Sequence, residues 1–506
     1  MSKRIRILAT SDTHGYIYPY KYTDGSSADF GMARMNTLIK ALRDENTIVI
    51  ENGDVLEGSP LDYYHFHYRK DEVSPITKVI DAMGYDYINI GNHDFNYGKE
   101  VLYRHLDNIK APCITSNVYD NGKPLGPTYV IREIAGKKVA IFGLLIQYIP
   151  HWEPEEHIRN MEFKSAVETA VKTVDLLKHL EKPDYIICVY HGGFERDLVT
   201  NAPTENLTGE NEGSAILNQV PGIDVLITGH QHVAYAGTRN GIVYTQTHDK
   251  AAQLACVDIY PDTGVIEPRL LEADTEPDPE ILAIAQEEED ACQVWLDEPL
   301  GTSKVNLYVD NEEDARLHKH QIITFLNKVA MEASGADLAS NSLFLGATGF
   351  KPVITMRDIV CTYVYPNTMV VKKISGKILR EYLEYDMQFW SIRNEVITPA
   401  KEYVEPKPQQ YNYDMIDGIE YTVKVSNPVG QRIVSLTRNG VPVKDDDVFT
   451  ICVSDYRASG GGDFDMIRNA PTVKEISQSF VETLADWVSE HKVIDFEPVN
   501  NIQIIK

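Results

Sequence analysis

Five apolar, strand-like runs in the first 232 residues each end on a side chain able to bind a metal, and that repetition constrains the chain more than any other feature. The runs lead into Asp12-Thr-His14, Gly53-Asp54, Gly91-Asn92-His93-Asp94, His191-Gly-Gly and Gly229-His230-Gln-His232. Helical patterns intervene at about Met32–Asp44, Pro75–Met83, Lys99–Asn108 and Ala166–Leu180. Alternation of this kind predicts a layered α/β domain with covered sheets. In an open α/β sheet, sites form in the crevice beyond the carboxyl ends of the strands, so five strand ends would gather side chains far apart in sequence. Glycines beside these residues (Gly15, Gly53, Gly91, Gly192, Gly229) permit the tight turns such a cluster needs.

The donor types narrow the chemistry. Asp12, Asp54, Asn92, His14, His191, His230 and His232 make a mixed oxygen and nitrogen set with no thiolate. Such a set suits Mn, Zn, Fe or Co, not a structural zinc or a calcium cage. Seven donors exceed what one tetrahedral ion takes and fit two divalent ions about 3.5–4 Å apart, bridged by a carboxylate. That arrangement clamps the attacking and leaving oxygens of a displacement at phosphorus.

With 506 residues, 43% of them hydrophobic and 24% charged, the chain is long enough for several cored domains. A net charge of −27 disfavours duplex nucleic acid and anionic membranes as partners, and bound cations would supply the positive charge a phosphate ester needs. The longest apolar run, Val139 to Ile146, is far short of a membrane span. Met1-Ser2-Lys3-Arg4 leads directly into strand-like residues, so the expectation is a cytoplasmic protein, or an extracellular one if a leader has been removed. The expected assembly is a monomer or weak oligomer. Six scattered cysteines without a CxxC pair predict reduced core thiols, notably Cys188, Cys256, Cys361 and Cys452.

Three regions are expected: residues 1–275 as the α/β domain, 276–300 as an acidic linker helix, and 301–506 as a smaller α+β domain. The run Glu287-Glu-Glu-Asp290 reads as a solvated helix face. Helices are expected in the last region at about His320–Ala333, Gly376–Tyr385 and Ile476–His491. Its most informative stretch is Tyr456-Arg-Ala-Ser-Gly460-Gly461-Gly462, where a flat ligand could approach the backbone. Tyr411-Asn-Tyr413-Asp414 offers further aromatic faces, and base stacking on a ring is worth about 1–3 kcal/mol.

The order D-x-H, G-D, G-N-H-D, H-G-G, G-H-x-H from Asp12 to His232 resembles the calcineurin-like metallophosphoesterases. With the second domain, the chain resembles the two-domain 5′-nucleotidase family. Its motifs Asn52–Pro60, Gly91–Gly98, Tyr365–Thr368, Tyr411–Asp414 and Tyr456–Gly462 are most similar to the 2′,3′-cyclic-nucleotide 2′-phosphodiesterase/3′-nucleotidase branch. The resemblance implies an α/β/β/α sandwich, one metal on Asp12, His14 and His232, a second on Asn92, His191 and His230, and Asp54 bridging. His93 would meet the leaving oxygen as metal-activated hydroxide attacks phosphorus. Tyr456 would be one jaw of a base clamp, with Tyr411 or Tyr413 as the other and Gly460 and Gly461 beside it.

Two departures separate this chain from the 5′-nucleotidase branch. Asn96 stands where that branch has an aspartate partnering the catalytic histidine, so His93 lacks that particular carboxylate. Asn341–Gly349 carries none of the arginines that grip phosphate there. The expected substrates are 2′,3′-cyclic nucleotides and 3′-nucleotides. The alternatives are a 5′-nucleotidase or nucleotide-sugar hydrolase, and a catalytically silent nucleotide-binding protein.

Overall fold

The structure, a computed structural model, describes residues 4–205, 207–365, 367–476 and 478–506. Met1–Lys3, Pro366 of the Tyr365–Thr368 motif and Ser477 of the expected 476–491 helix lie outside the described residues. The chain forms two compact units, Met1–Cys292 and Gln293–Lys506.

The first unit contains two large sheets. One orders its strands Val265–Glu272, Gln253–Tyr260, Ile5–Thr10, Thr47–Asn52 and Tyr87–Asn89. The other orders Tyr235–Arg239, Ile242–Gln246, Val225–Thr228, Tyr185–His191, Lys137–Leu145 and Val130–Ile134. The period of two along each strand explains how they stack. Ile5, Ile7, Ala9, Ile48 and Ile50 from the first sheet share one buried cluster with Val139, Ile141, Ile187, Val189, Val225 and Ile227 from the second. Alternate residues Phe142, Leu144, Ile186, Cys188 and Leu226 join a second cluster with Ala166, Ala170 and Val174 of a helix. On the far side, Arg6 donates to the carbonyl of Leu42 at the end of helix Met32–Leu42 (3.3 Å). Helix, sheet, sheet and helix therefore lie in layers.

Strand direction places the site. Ile5–Thr10, Thr47–Asn52 and Tyr87–Asn89 run parallel, as do Lys137–Leu145, Tyr185–His191 and Val225–Thr228. Within each sheet the strands that precede a donor residue thus end at the same edge. Helix boundaries follow local chemistry. Pro75–Met83 begins after Ser74, whose hydroxyl accepts from the Thr77 N–H, and stops at Gly84 in the left-handed region.

Helix Pro279–Leu296 carries the acidic run, and the division between units falls within it. Two of its acids are not solvated, contrary to expectation. Glu289 accepts from the hydroxyls of the half-buried Tyr20 and the buried Tyr22, and Glu288 Oε1 lies 2.6 Å from His65 Nδ1, with both acids and His65 buried. Hydrogen bonds to a buried carboxylate offset its lost hydration, which the sequence pattern alone does not register.

The second unit is α+β. Its main sheet orders Asp414–Asp417, Leu338–Ser342, Val448–Ser454, Met369–Ser375 and Thr472–Ile476, with helix Gln321–Ser334 packed on it. Trp390, Tyr382, Tyr413, Tyr421, Phe389 and Phe464 are fully buried in its core. The expected helix over 476–491 begins only at Phe480, because Ser479 and Glu482 form a reciprocal cap. All six cysteines stand outside any disulfide, and five of them are buried.

Candidate metal centre

Five of the seven expected donor residues sit in the left-handed backbone region: Asp12 (φ 55°), His14 (48°), Asp54 (60°), His230 (72°) and His232 (57°). Non-glycine residues adopt this conformation at a cost, and such strain clusters where geometry serves function. The turns are also packed too closely for side chains beside them. A Cβ on Gly53 would lie 2.3 Å from the Gly91 nitrogen, and one on Gly91 would lie 2.1 Å from Asp54 Oδ1. Asp94 knits the same turns together, its carboxylate accepting from the N–H groups of Asp54, Val55, Leu56 and Gly91 at 2.8–3.1 Å.

The donor atoms converge in two groups. Asp12, His14 and His232 each offer an atom within 4.8 Å of the other two, and Asp54, His191 and His230 do the same. His14 Nε2 and His232 Nε2 are 3.0 Å apart, and His232 Nε2 is 3.5 Å from Asp12 Oδ1. In the second group Asn92 Oδ1 stands 2.8 Å from His230 Nδ1 and 3.3 Å from His191 Nε2.

Residues behind the donors fix which ring nitrogen faces inward. His14 Nδ1 donates to the Glu57 carbonyl (2.7 Å) and His191 Nδ1 to the Asn52 carbonyl (2.6 Å), leaving their Nε2 atoms toward the centre. His230 is reversed, with Nε2 against Glu210 Oε1 at 2.9 Å and Nδ1 inward. This is how metal-ligating imidazoles are commonly oriented.

These residues fit a pair of cations. Asp54 Oδ1 accepts the His93 N–H (2.8 Å), whereas its buried Oδ2 accepts no hydrogen bond although His191 Nε2 lies 3.2 Å away. A buried carboxylate oxygen without a well-made hydrogen bond is costly inside a protein unless positive charge meets it, here the His191 imidazole or a bound cation. The electrostatics are compatible. Burial alone would raise Asp12 and Asp54, but His232 and His191 hold both below the usual carboxylate range. Burial and the adjacent His232 push His14 down to about 4, while Asp54 overrides burial and lifts His191 to about 10.

His93 is half-buried, its ring 5.3 Å from that of His14. An amide at position 96 does take the place of a carboxylate there, and a carboxylate from another turn stands close by. His93 Nδ1 lies 2.7 Å from Asn96 Oδ1 and 3.2 Å from Glu57 Oε2. Burial lifts the Glu57 carboxyl to about 7. Sequence reasoning overlooked Glu153 and Glu210, which lie in or after turns that carry no periodic signal, and gave Glu57 no role although it stands inside the quoted Asn52–Pro60 motif. Asp94 stood inside a quoted motif without a role.

In the second unit, Tyr413 is fully buried, stacked on Phe389 (centroids 4.7 Å apart) and edge-on to Trp390. Tyr411 instead is half-buried and meets Tyr456 edge to face at 6.3 Å and 77°. A Cβ on Gly461 would fall 2.4 Å from the Tyr456 ring, so that glycine packs against the ring itself. Gly460 takes φ 100° as the chain turns after Ser459. Arg457 anchors the loop through Asp414 (Nε to Oδ2, 2.7 Å).

This layering and these donor groups define a metallophosphoesterase, a hydrolytic enzyme that uses divalent metals. The calcineurin-like phosphoesterase family model matches residues 5–234, and the 5′-nucleotidase C-terminal domain model matches residues 299–469. The chain belongs to the two-domain 5′-nucleotidase family. It is 33% identical to a putative 5′-nucleotidase from Staphylococcus aureus solved with alpha-ketoglutarate, with a TM-score of 0.93 over 99% of this chain and 100% of that one. A 2′,3′-cyclic-nucleotide 2′-phosphodiesterase/3′-nucleotidase of Salmonella typhimurium is 28% identical over 90% of this chain and 81% of its own length. A trifunctional nucleotide phosphoesterase of Bacillus subtilis is 26% identical over 99% of this chain, which spans 39% of that protein. Among the described residues no helix is long and apolar enough to cross a membrane.

Proposed function

We propose that the chain hydrolyses 2′,3′-cyclic nucleotides and 3′-nucleotides at a dinuclear centre. In this reading residues 1–275 carry the chemistry, 276–300 connect, and 301–506 recognise substrate. Asp12, His14 and His232 would hold one ion, Asn92, His191 and His230 the other, with Asp54 between them. The observation that carries the dinuclear reading is the gathering of two donor groups, the second of them holding the buried Asp54 Oδ2. When bound, the ions supply Lewis acidity that acidifies water and neutralises phosphoryl oxygens as charge builds.

The protein groups then have separable tasks. Asp54 holds the His93 backbone through Oδ1 and keeps Oδ2 for the centre. His93, its Nδ1 committed to Asn96, would deliver a proton to the leaving oxygen through Nε2. Tyr456 and Tyr411 would present the base-binding surface. Tyr413, enclosed by Phe389 and Trp390, serves the core.

Support for the cyclic-nucleotide substrate comes from Asn96 and from the named activity of the Salmonella relative. The Staphylococcus structure favours a second reading, 5′-nucleotide hydrolysis. A panel of 2′,3′-cyclic AMP, 3′-AMP and 5′-AMP with added Mn²⁺ separates the two. Turnover of 5′-AMP with none of the cyclic ester would overturn the first.

A further inference from the structure

Asn96 differs from an aspartate in one physical respect that matters at His93. A carboxylate presents an acceptor whichever way it turns, whereas an amide presents C=O on one side and NH₂ on the other. An asparagine can therefore accept from His93 Nδ1 reliably only if something else fixes its orientation. Glu153 does this. Asn96 Nδ2 donates to Glu153 Oε1 at 2.5 Å, which turns Oδ1 toward His93 Nδ1 at 2.7 Å. Glu153 is itself held, its Oε2 lying 3.0 Å from His157 Nδ1 and its side chain only 6% exposed.

We propose that Glu153 is a positioning residue for the hydrolysis, holding the Asn96 amide so that His93 keeps one ring orientation and one tautomer. Amide and carboxylate together then do what a lone aspartate does elsewhere. Loss of Glu153 would let the amide turn its NH₂ toward Nδ1, leaving the more distant Glu57 Oε2 (3.2 Å) to hold that nitrogen and loosening the ring's orientation. The proposal rests on His93 acting at the leaving oxygen.

That dependence can be tested separately, with the metal-loaded enzyme acting on phenyl phosphate and on p-nitrophenyl phosphate, whose leaving group departs without a proton. His93→Ala is expected to lose far more on phenyl phosphate than on p-nitrophenyl phosphate. Equal losses would reject the role of His93 and the proposal with it. If His93→Ala does discriminate, Glu153→Ala should lower kcat on phenyl phosphate about tenfold, with KM within about twofold and a much smaller loss on the nitrophenyl ester. Glu153→Gln, which still offers an acceptor to Asn96, should restore most of it. Asn96→Asp should be slow alone, because two carboxylates would face each other across the 2.5 Å contact. Adding Glu153→Ala should relieve it. Equal losses on both esters for Glu153→Ala, or no relief of Asn96→Asp, would overturn the positioning role alone. If Glu153→Ala fails to fold, N96D is compared with N96D/E153Q instead: relief supports the proposal and its absence overturns it.

Discussion

His14 Nε2 and His232 Nε2 face each other at 3.0 Å, although 218 positions separate them along the chain. The His14 ring is held at its other nitrogen by the Glu57 carbonyl (2.7 Å), while the carbonyl of His232 holds His248 Nδ1 (2.7 Å) and so fixes the turn that carries it. Two inward nitrogens this close, with Asp12 Oδ1 3.5 Å from one of them, form a half-built cation cage.

Chelation is therefore expected to abolish hydrolysis and to lower the thermal midpoint, since an ion that binds only the folded chain stabilises it by about 2.7 kcal/mol at a hundredfold excess over Kd. Adding Mn²⁺ back should restore both. Full activity after exhaustive dialysis against chelator, with no metal by elemental analysis, would refute a metal centre.

Asp54→Asn isolates the orphaned oxygen. The variant keeps an oxygen for the His93 N–H but removes the charge that Asp54 brings to the second donor group. Activity should fall at least about 100-fold and the metal content per chain should drop, with the far-UV spectrum unchanged. A D54N enzyme that stays active with full metal content would argue against bridging.

The tyrosines should divide by burial. Tyr456→Ala and Tyr411→Ala are expected to raise KM for nucleotides by the equivalent of about 1–3 kcal/mol while leaving p-nitrophenyl phosphate untouched. Tyr413→Ala should instead cost about 3–5 kcal/mol of stability, because it empties a fully buried site against Phe389 and Trp390. The comparison of KM with thermal midpoint for the three variants checks both statements.

Acid sensitivity should be traceable to His105, which is none of the metal-donor residues. Burial beside Thr77 pushes its imidazole down to about 3, so the unfolded chain takes up this proton near its ordinary pH and the folded chain does not. The contribution is whole above about pH 6.5 and is lost as pH falls toward 3, at about 1.4 kcal/mol per pH unit. His105→Asn should flatten the fall in denaturation midpoint between pH 6.5 and 4.5 relative to the unaltered chain. Identical slopes for the two proteins would contradict this.

Local signals made much of this protein legible in its sequence. The seven donors follow five apolar runs within a few residues, and a glycine stands at the end of each run, so strand, turn and ligand are written together. Periodicity likewise announced the helix Pro75–Met83, where cap and stop lie at its two ends. Tertiary structure alone decided the partners. Glu153 lies 57 positions from Asn96, Glu210 lies 20 from His230, and Glu289 lies 269 from Tyr20. Contacts of that kind depend on how loops from separate strands meet, and a single sequence carries no periodic trace of it. For the same reason Tyr411 and Tyr413 were indistinguishable as letters two places apart, until one ring was enclosed by Phe389 and Trp390 and the other came to face Tyr456.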